Sequence, residues 1–199
     1  MTALGLHAGI RATLGEATGS DKLSGRTIAI QGLGQVGRAL AQLLHRDNAR
    51  LIVTDLDSSI VESVAAATGA NPVGVDDILA VECDVLSPCA LGGVINKDTR
   101  SRLRTRIVAG AANNVLATPA DGAALAAAGI LYAPDYVINA GGMIWEAAAV
   151  AGWDYDTTIS RVLEIGDTLR VVFRNARARG TNPVAAADQL AHAQLTDID

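Results

Sequence analysis

Residues 26–55 read RTIAIQGLGQVGRALAQLLHRDNARLIVTD, and the fold turns on how they are understood. A short apolar run, residues 27–31, is broken at once by Gly32, Leu33, Gly34, Gln35, Val36 and Gly37. Val36, Leu40, Leu43 and Leu44 then fall at helical spacing, and a second apolar run over residues 51–54 ends on Asp55. The order is strand, glycine turn, helix, strand, acid: the first βαβ unit of a sheet that binds a dinucleotide. Gly32 permits a tight turn off the strand, Gly34 removes a side chain where a pyrophosphate must approach, and Gly37 lets the helix lie against the sheet. The start of the helix offers unpaired N–H groups and a partial positive charge. Asp55 lies 18 residues past Gly37, near the interval at which a carboxylate takes the adenine-ribose hydroxyls. A glycine-rich turn that binds nothing, with an acid merely ending a strand, would need only part of this pattern.

Asp55 also bears on which dinucleotide is expected. A carboxylate about 5 Å from a 2′-phosphate opposes it by roughly 3 kcal/mol per phosphate charge at an effective dielectric near 20. Asp57 adds to the bias, and no Arg or Lys follows closely to reverse it. NAD is the expected cofactor.

The bulk numbers agree with one substantial α/β domain. At 199 residues the chain can bury a core, and with 50% hydrophobic but only 3% aromatic residues that core must be built from Ala, Val, Leu and Ile. The net charge of −5 gives no electrostatic footprint for nucleic acid or an anionic membrane. Cys83 and Cys89 are too few and wrongly spaced for a zinc site, so two buried thiols in a reducing cytoplasm are expected, with no metal. The sequence shows neither a signal-peptide pattern nor an apolar run long enough to span a membrane.

Periodicity organises the rest. Residues 2–17 predict a helix with Leu6, Ile10 and Leu14 on one face and Gly19 as its stop. Ser58 or Ser59 is placed to cap a helix that carries Val61, Val64 and Ala65 and stops at Gly69. Asn71 and Pro72 read as a turn, residues 73–75 as a short strand and residues 76–81 as a helical turn. Strands are expected at residues 83–86, 107–109 and 130–132, with a helix over 119–128. Each of the three strands runs into a turn of small residues or Asn, which suggests one shared crevice. Helices follow at 143–151, over a long stripe from Ile159 to Ala176, and from Pro183. The stripe could pack within the chain or against a further domain.

The runs QGLGQVG, VTD, ECDVLSPCALGGVIN, IVAGAANN and YAPDYVINAGG resemble the NAD-binding domain of the glutamate/leucine/phenylalanine/valine dehydrogenases, the leucine and phenylalanine enzymes above all. The likeness covers essentially the whole chain. It implies a Rossmann-like, doubly wound, mostly parallel sheet with one strand reversed and helices on both faces. The expected domain is residues 1–199: an N-terminal helix (2–18), a core (26–142) and C-terminal helices (143–193). The implied activity is oxidative deamination of an L-amino acid to a 2-oxo acid and ammonia, with hydride passing to NAD. Carried over by motif, Gly32, Leu33, Gly34, Gln35, Val36 and Gly37 meet the pyrophosphate. Asp55 and the Leu56 backbone meet the ribose, and Ala90 and Leu91 line the cofactor. Ala111 and Ala112 lie beside the nicotinamide half. Asn113 reaches both substrate and cofactor, Asn139 holds the nicotinamide end, and Thr2 meets the carboxamide. Amide side chains suit a neutral ring, since they donate and accept without charge.

Two departures qualify the resemblance. In that family a preceding domain supplies the lysines and aspartate of the acid–base chemistry. Here Lys22 and Lys97 are the only lysines and stand outside any such motif, while His7, His45 and His192 all fall in helical segments. The chain is therefore expected to bind NAD without turning over an amino acid alone. It would be a piece of a two-domain enzyme, which is preferred, or else, on equal terms, one half of a split enzyme or a non-catalytic NAD-binding module. The second departure is Glu146, near Met143 where the substrate side chain is contacted in relatives and where an apolar residue is usual. If Glu146 faces the pocket, a buried carboxylate needs a partner and favours a polar or amino-bearing substrate; if the helix turns it outward, the reading slightly preferred, the substrate stays open. Exposed apolar surface at the crevice rim and on part of the long stripe predicts self-association.

Overall fold

A computed structural model of the chain describes residues 1–196, so residues 197–199 of the expected domain lie outside it. The strands are β1 (Thr27–Gln31), β2 (Arg50–Thr54), β3 (Asn71–Pro72), β4 (Glu82–Pro88), β5 (Arg104–Val108) and β6 (Leu131–Tyr132). They form one sheet in the order β3-β2-β1-β4-β5-β6. All of its pairings are parallel, so the reversed strand that the resemblance implied does not occur among the described residues. The reason lies in the last connection. Helix α4 (Pro119–Ala127) carries the chain back along the sheet after β5, and β6 must then run the same way as its neighbour.

Alternation along the strands builds two cores. Ile28, Ile30, Val85 and Ile107 point to one face, and Ala29, Leu86 and Val108 to the other. The first face carries α1 (Thr2–Thr18), α2 (Gln35–Arg46), α3 (Ser58–Thr68) and α8 (Ile165–Arg179). Leu6, Ile10 and Leu14 of α1 are fully buried there, and Gly19 ends the helix in the left-handed region at φ 76°. The second face is covered more thinly, by α4 and by single 3-10 turns at Ile78–Ala80 and Arg100–Arg102.

Several local expectations shift. Asp57, not a serine, caps α3, with its carboxylate accepting from the Ser59 backbone at 2.9 Å. Asn71 and Pro72 are themselves the edge strand, where a residue without N–H is tolerated. The stripe from Ile159 to Ala176 divides into α7 (Tyr155–Leu163) and α8. Val162, Ile165, Leu169, Val172 and Phe173 are buried within the chain in the core that α1 shares, so most of the stripe is not open surface. The exposed large apolar residues of this region are instead Met143, Trp145 and Val150 on α6 (Gly141–Ala151), with Trp153, Tyr155 and Leu163 beyond. Cys83 and Cys89 are free and half-buried rather than buried. The remaining helices are α5 (Asp135–Ile138) and α9 (Pro183–Thr196).

Candidate dinucleotide site

The carboxyl ends of β1, β2, β4 and β5 gather the loops that the sequence singled out. Gly32 leaves β1 at φ 94°, a conformation that favours glycine, and its backbone lies under Ala90. A Cβ at Gly32 would stand 2.6 Å from the Ala90 Cβ, and one at Gly37 would stand 2.0 Å from the Gly32 carbonyl oxygen. Helix α2 is thus seated directly on the turn that precedes it. Gly34 is different: a Cβ there would meet nothing within 4 Å. It is the N-cap of α2, no side chain caps the helix, and the first turn carries no acid. The opening turn of α2 therefore presents its N–H donors to an open surface.

Asp55 closes the other side. Its Oδ2 accepts from the Leu33 N–H at 2.5 Å and its Oδ1 from the Asp57 N–H at 3.0 Å. The carboxylate ties the glycine turn to the end of β2. Two backbone donors leave it further lone pairs for hydroxyl groups. Beside it lies a cavity of about 200 Å³ lined in part by Gln31, Leu56, Val75, Leu91 and Val94. Leu56 and Leu91 stand 88% and 72% exposed at its mouth, which makes the opening apolar. Gln31 Oε1 is buried with no hydrogen-bond partner among the described residues. Such an acceptor is costly unless a donor reaches it. Residue types alone gave no role to Gln31, Val75 or Val94. The available signal was a polar residue ending an apolar strand immediately before a glycine turn.

Across the crevice, Asn139 Nδ2 donates to Asn113 Oδ1 at 2.7 Å and to the Ala111 carbonyl at 3.3 Å. The two amides are brought together from loops 26 residues apart. Ala112 is buried beneath them and Ala111 half-buried. Thr2, at the start of α1, abuts the first turn of α6, where a Cβ at Gly142 would lie 2.9 Å from its hydroxyl. Met143 and Glu146 are exposed on α6. His7 is paired with Asp47 at 2.7 Å, away from these loops, and Lys22 and Lys97 are both exposed.

Asp135, which the sequence reading passed over, fixes this side of the crevice. It is only 8% exposed; its Oδ2 accepts from the Val115 N–H at 2.8 Å and its Oδ1 from the Tyr136 N–H at 2.9 Å. The first bond pins the loop that carries Asn113 to the helix that carries Asn139. Burial, followed by the nearby Asp135 charge, holds the Tyr132 phenol protonated far above its usual range. Replacing Asp135 by Ala strands the fully buried Val115 N–H, an expected loss of about 2 kcal/mol. For a chain of this size that is about 4–8 °C in Tm, read by thermal melting, with Asp135→Asn recovering part of it. An unchanged melt for Asp135→Ala would remove this role.

The sequence profile of the glutamate/leucine/phenylalanine/valine dehydrogenases matches residues 55–182. The chain belongs to that family. Leucine dehydrogenase of Geobacillus stearothermophilus is 40% identical over 194 residues, which cover 98% of this chain and 53% of that enzyme. The crystal structure of L-tryptophan dehydrogenase from Nostoc punctiforme superimposes with a TM-score of 0.96 at 39% identity, over 98% of this chain and 60% of that one. The hetero-hexameric glutamate dehydrogenase of Thermus thermophilus, in its Leu-bound form, gives a TM-score of 0.75 at 27% identity, over 100% of this chain and 52% of that one. This member of the dehydrogenase family thus spans about half the length of the curated relatives it matches.

Proposed function

We propose that the chain is the NAD-binding half of an L-amino acid dehydrogenase, in which an L-amino acid is deaminated to a 2-oxo acid and ammonia as NAD is reduced. The observation that carries this reading is the juxtaposition at the carboxyl ends of β1 and β2 of the uncapped α2 terminus, the open Gly34 and the Asp55 carboxylate. The family's named members, amino acid dehydrogenases, support it.

In this reading the N–H groups around residues 33–37 take the pyrophosphate, with Gly34 leaving it room. Asp55 and the Leu56 backbone take the adenine ribose, while Ala90 and Leu91 form the wall of the adenine side. Asn113, Asn139, Ala111, Ala112 and Thr2 orient the nicotinamide half, and Asn113 also reaches the substrate. Met143 lies toward the substrate side chain. Glu146, exposed like Met143 on the same helix, would favour a polar or amino-bearing side chain if it faces the pocket and leaves the substrate open if it faces outward. Bound NAD supplies the hydride acceptor. The chain's own residues bind and orient, and in this reading the acid–base groups come from a separate catalytic domain; Lys22 and Lys97, the two lysines of the sequence, are both exposed. Exposed Met143, Trp145 and Val150 offer surface for a catalytic domain or a second copy, and free Cys83 and Cys89 suit a reducing cytoplasm.

Calorimetry with NAD tests the binding half of the proposal: a saturable heat is expected, and none would end it. NADH formation tests the rest. The chain alone is expected to give no turnover with leucine, valine, phenylalanine or tryptophan, and to give turnover with one of them when mixed with the first domain of a relative. Turnover by the chain alone would overturn the half-enzyme reading. Binding without turnover in any mixture would favour the alternative, a non-catalytic NAD-binding module.

A further inference from the structure

At the opposite end of the strands, away from Asp55 and Gly34, lies a second and larger opening of about 640 Å³. It exists because the second face of the sheet is covered there only by 3-10 turns, which are too short to reach the amino ends of the strands. The register sets a row of residues across its floor. Thr27 pairs with Arg50, and the steps either side of Asp84 place Asp84 between Thr27 and Arg106. Neighbouring strands lie about 4.8 Å apart, so Arg50 and Arg106, three strands apart, have Cα atoms about 14 Å from each other. Long cationic side chains thus flank two short ones, and the result is a trough with guanidinium walls.

The charges in the trough do not cancel. Arg26, Arg50, Arg104 and Arg106 face only Glu82 and Asp84. Asp84 is already committed: one oxygen accepts from Arg26 at 3.2 Å and the other from the Thr27 N–H at 2.8 Å. Arg50 spends only its Nε, on the Thr27 hydroxyl at 3.3 Å. The side chains of Arg104 and Arg106 form no hydrogen bond or ion pair among the described residues, although Glu82 lies opposite Arg104 across the strand pair. An excess of two positive charges therefore sits in one concavity of a chain whose net charge is −5.

We propose that this groove binds a small phosphate-bearing anion. Donors converge on it from two separate strands, Arg50 from one side and Arg104 and Arg106 from the other. A tetrahedral oxyanion can meet guanidinium forks arriving from several directions, whereas a planar carboxylate matches one or two. The inference stands apart from the dinucleotide reading, which concerns the carboxyl ends of the strands.

The test is calorimetric titration of the 199-residue chain with inorganic phosphate, against sodium chloride at matched ionic strength. Saturable binding to the wild-type chain is expected, at least tenfold weaker in Arg104→Gln/Arg106→Gln and unchanged in Arg174→Gln, which removes an exposed charge on α8 away from the groove. The double variant is also expected to melt no lower than wild type in phosphate-free buffer, since it removes like charges, and to lose the rise in Tm that phosphate gives the wild type. The proposal is overturned if the double variant binds phosphate like wild type, if chloride reproduces the effect, or if Arg174→Gln is the variant that abolishes it.

Discussion

Gly37→Ala is expected to lower the melting temperature by about 6–12 °C and to weaken NAD binding at least thirtyfold. The added Cβ would stand 2.0 Å from the Gly32 carbonyl oxygen and 3.6 Å from the Cys89 Cβ. The first of these is backbone, which cannot swing aside as a side chain would. Helix α2 must lift off the turn, yet Leu40, Ala41 and Leu44 anchor it in the core. An overpacking penalty of about 3 kcal/mol follows, and for a chain of this size each kcal/mol moves Tm by about 2–4 °C. Lifting the helix also moves the N–H groups at its tip, which accounts for the loss of affinity.

Gly34→Ala separates the two consequences. Its φ of −61° and ψ of −164° suit alanine, and beyond its immediate chain neighbours nothing lies within 4 Å of the new Cβ. Stability should change by no more than about 1 kcal/mol, since the poorer N-cap that alanine makes offsets what it takes from the unfolded chain's freedom. NAD affinity should nevertheless fall at least tenfold, because the methyl group occupies space left open for phosphates. A Gly34→Ala chain that binds NAD like wild type would mean that the turn cradles nothing. A Gly37→Ala chain that melts like wild type would contradict the seating of α2 on Gly32.

How much of this was legible beforehand depended on the range over which each feature is determined. The β1–α2–β2 unit, the left-handed stop at Gly19 and the Pro183 start are local matters of φ and spacing, and the sequence states them outright. Asn71–Pro72 is a strand only because Ile52 and Val53 lie alongside, so local turn chemistry misread it. Asp57 and Ser58 are both competent caps, and only the observed bond to Ser59 decides between them. The Ile159–Ala176 stripe kept its helical period through Glu164, where one helix hands over to the next, so periodicity alone could not find the break. The site divides the same way. Gly32, Gly34, Gly37 and Asp55 were readable from spacing, whereas Asn113, Asn139 and Thr2 came only from resemblance. Asp135, Gln31 and the arginine trough depend on pairings between distant segments, which no single-sequence pattern carries.

Asp55→Asn should leave the fold nearly as stable as wild type while narrowing the preference for NAD over NADP from more than a hundredfold to within about tenfold. The carboxylate has two separable duties. As an acceptor it satisfies the N–H of Leu33, a residue with no exposed surface, and that of Asp57. As a charge it repels a 2′-phosphate by roughly 3 kcal/mol per phosphate charge at about 5 Å and an effective dielectric near 20. Asparagine keeps one acceptor oxygen, which can serve Leu33, and discards the charge. Asp55→Ala discards both, leaving a buried N–H unpaired at a cost of about 1–3 kcal/mol and loosening the turn that carries Gly34. It should therefore lose on the order of 10² in NAD affinity as well as stability, since hydrogen bonds to a charged partner are worth about 1.5–3 kcal/mol each. Calorimetry with both dinucleotides, run beside thermal melts of the two variants, distinguishes the duties. If Asp55→Asn still rejects NADP a hundredfold, some group other than this charge selects the cofactor; if Asp55→Ala melts like wild type, the bond to Leu33 holds nothing in place.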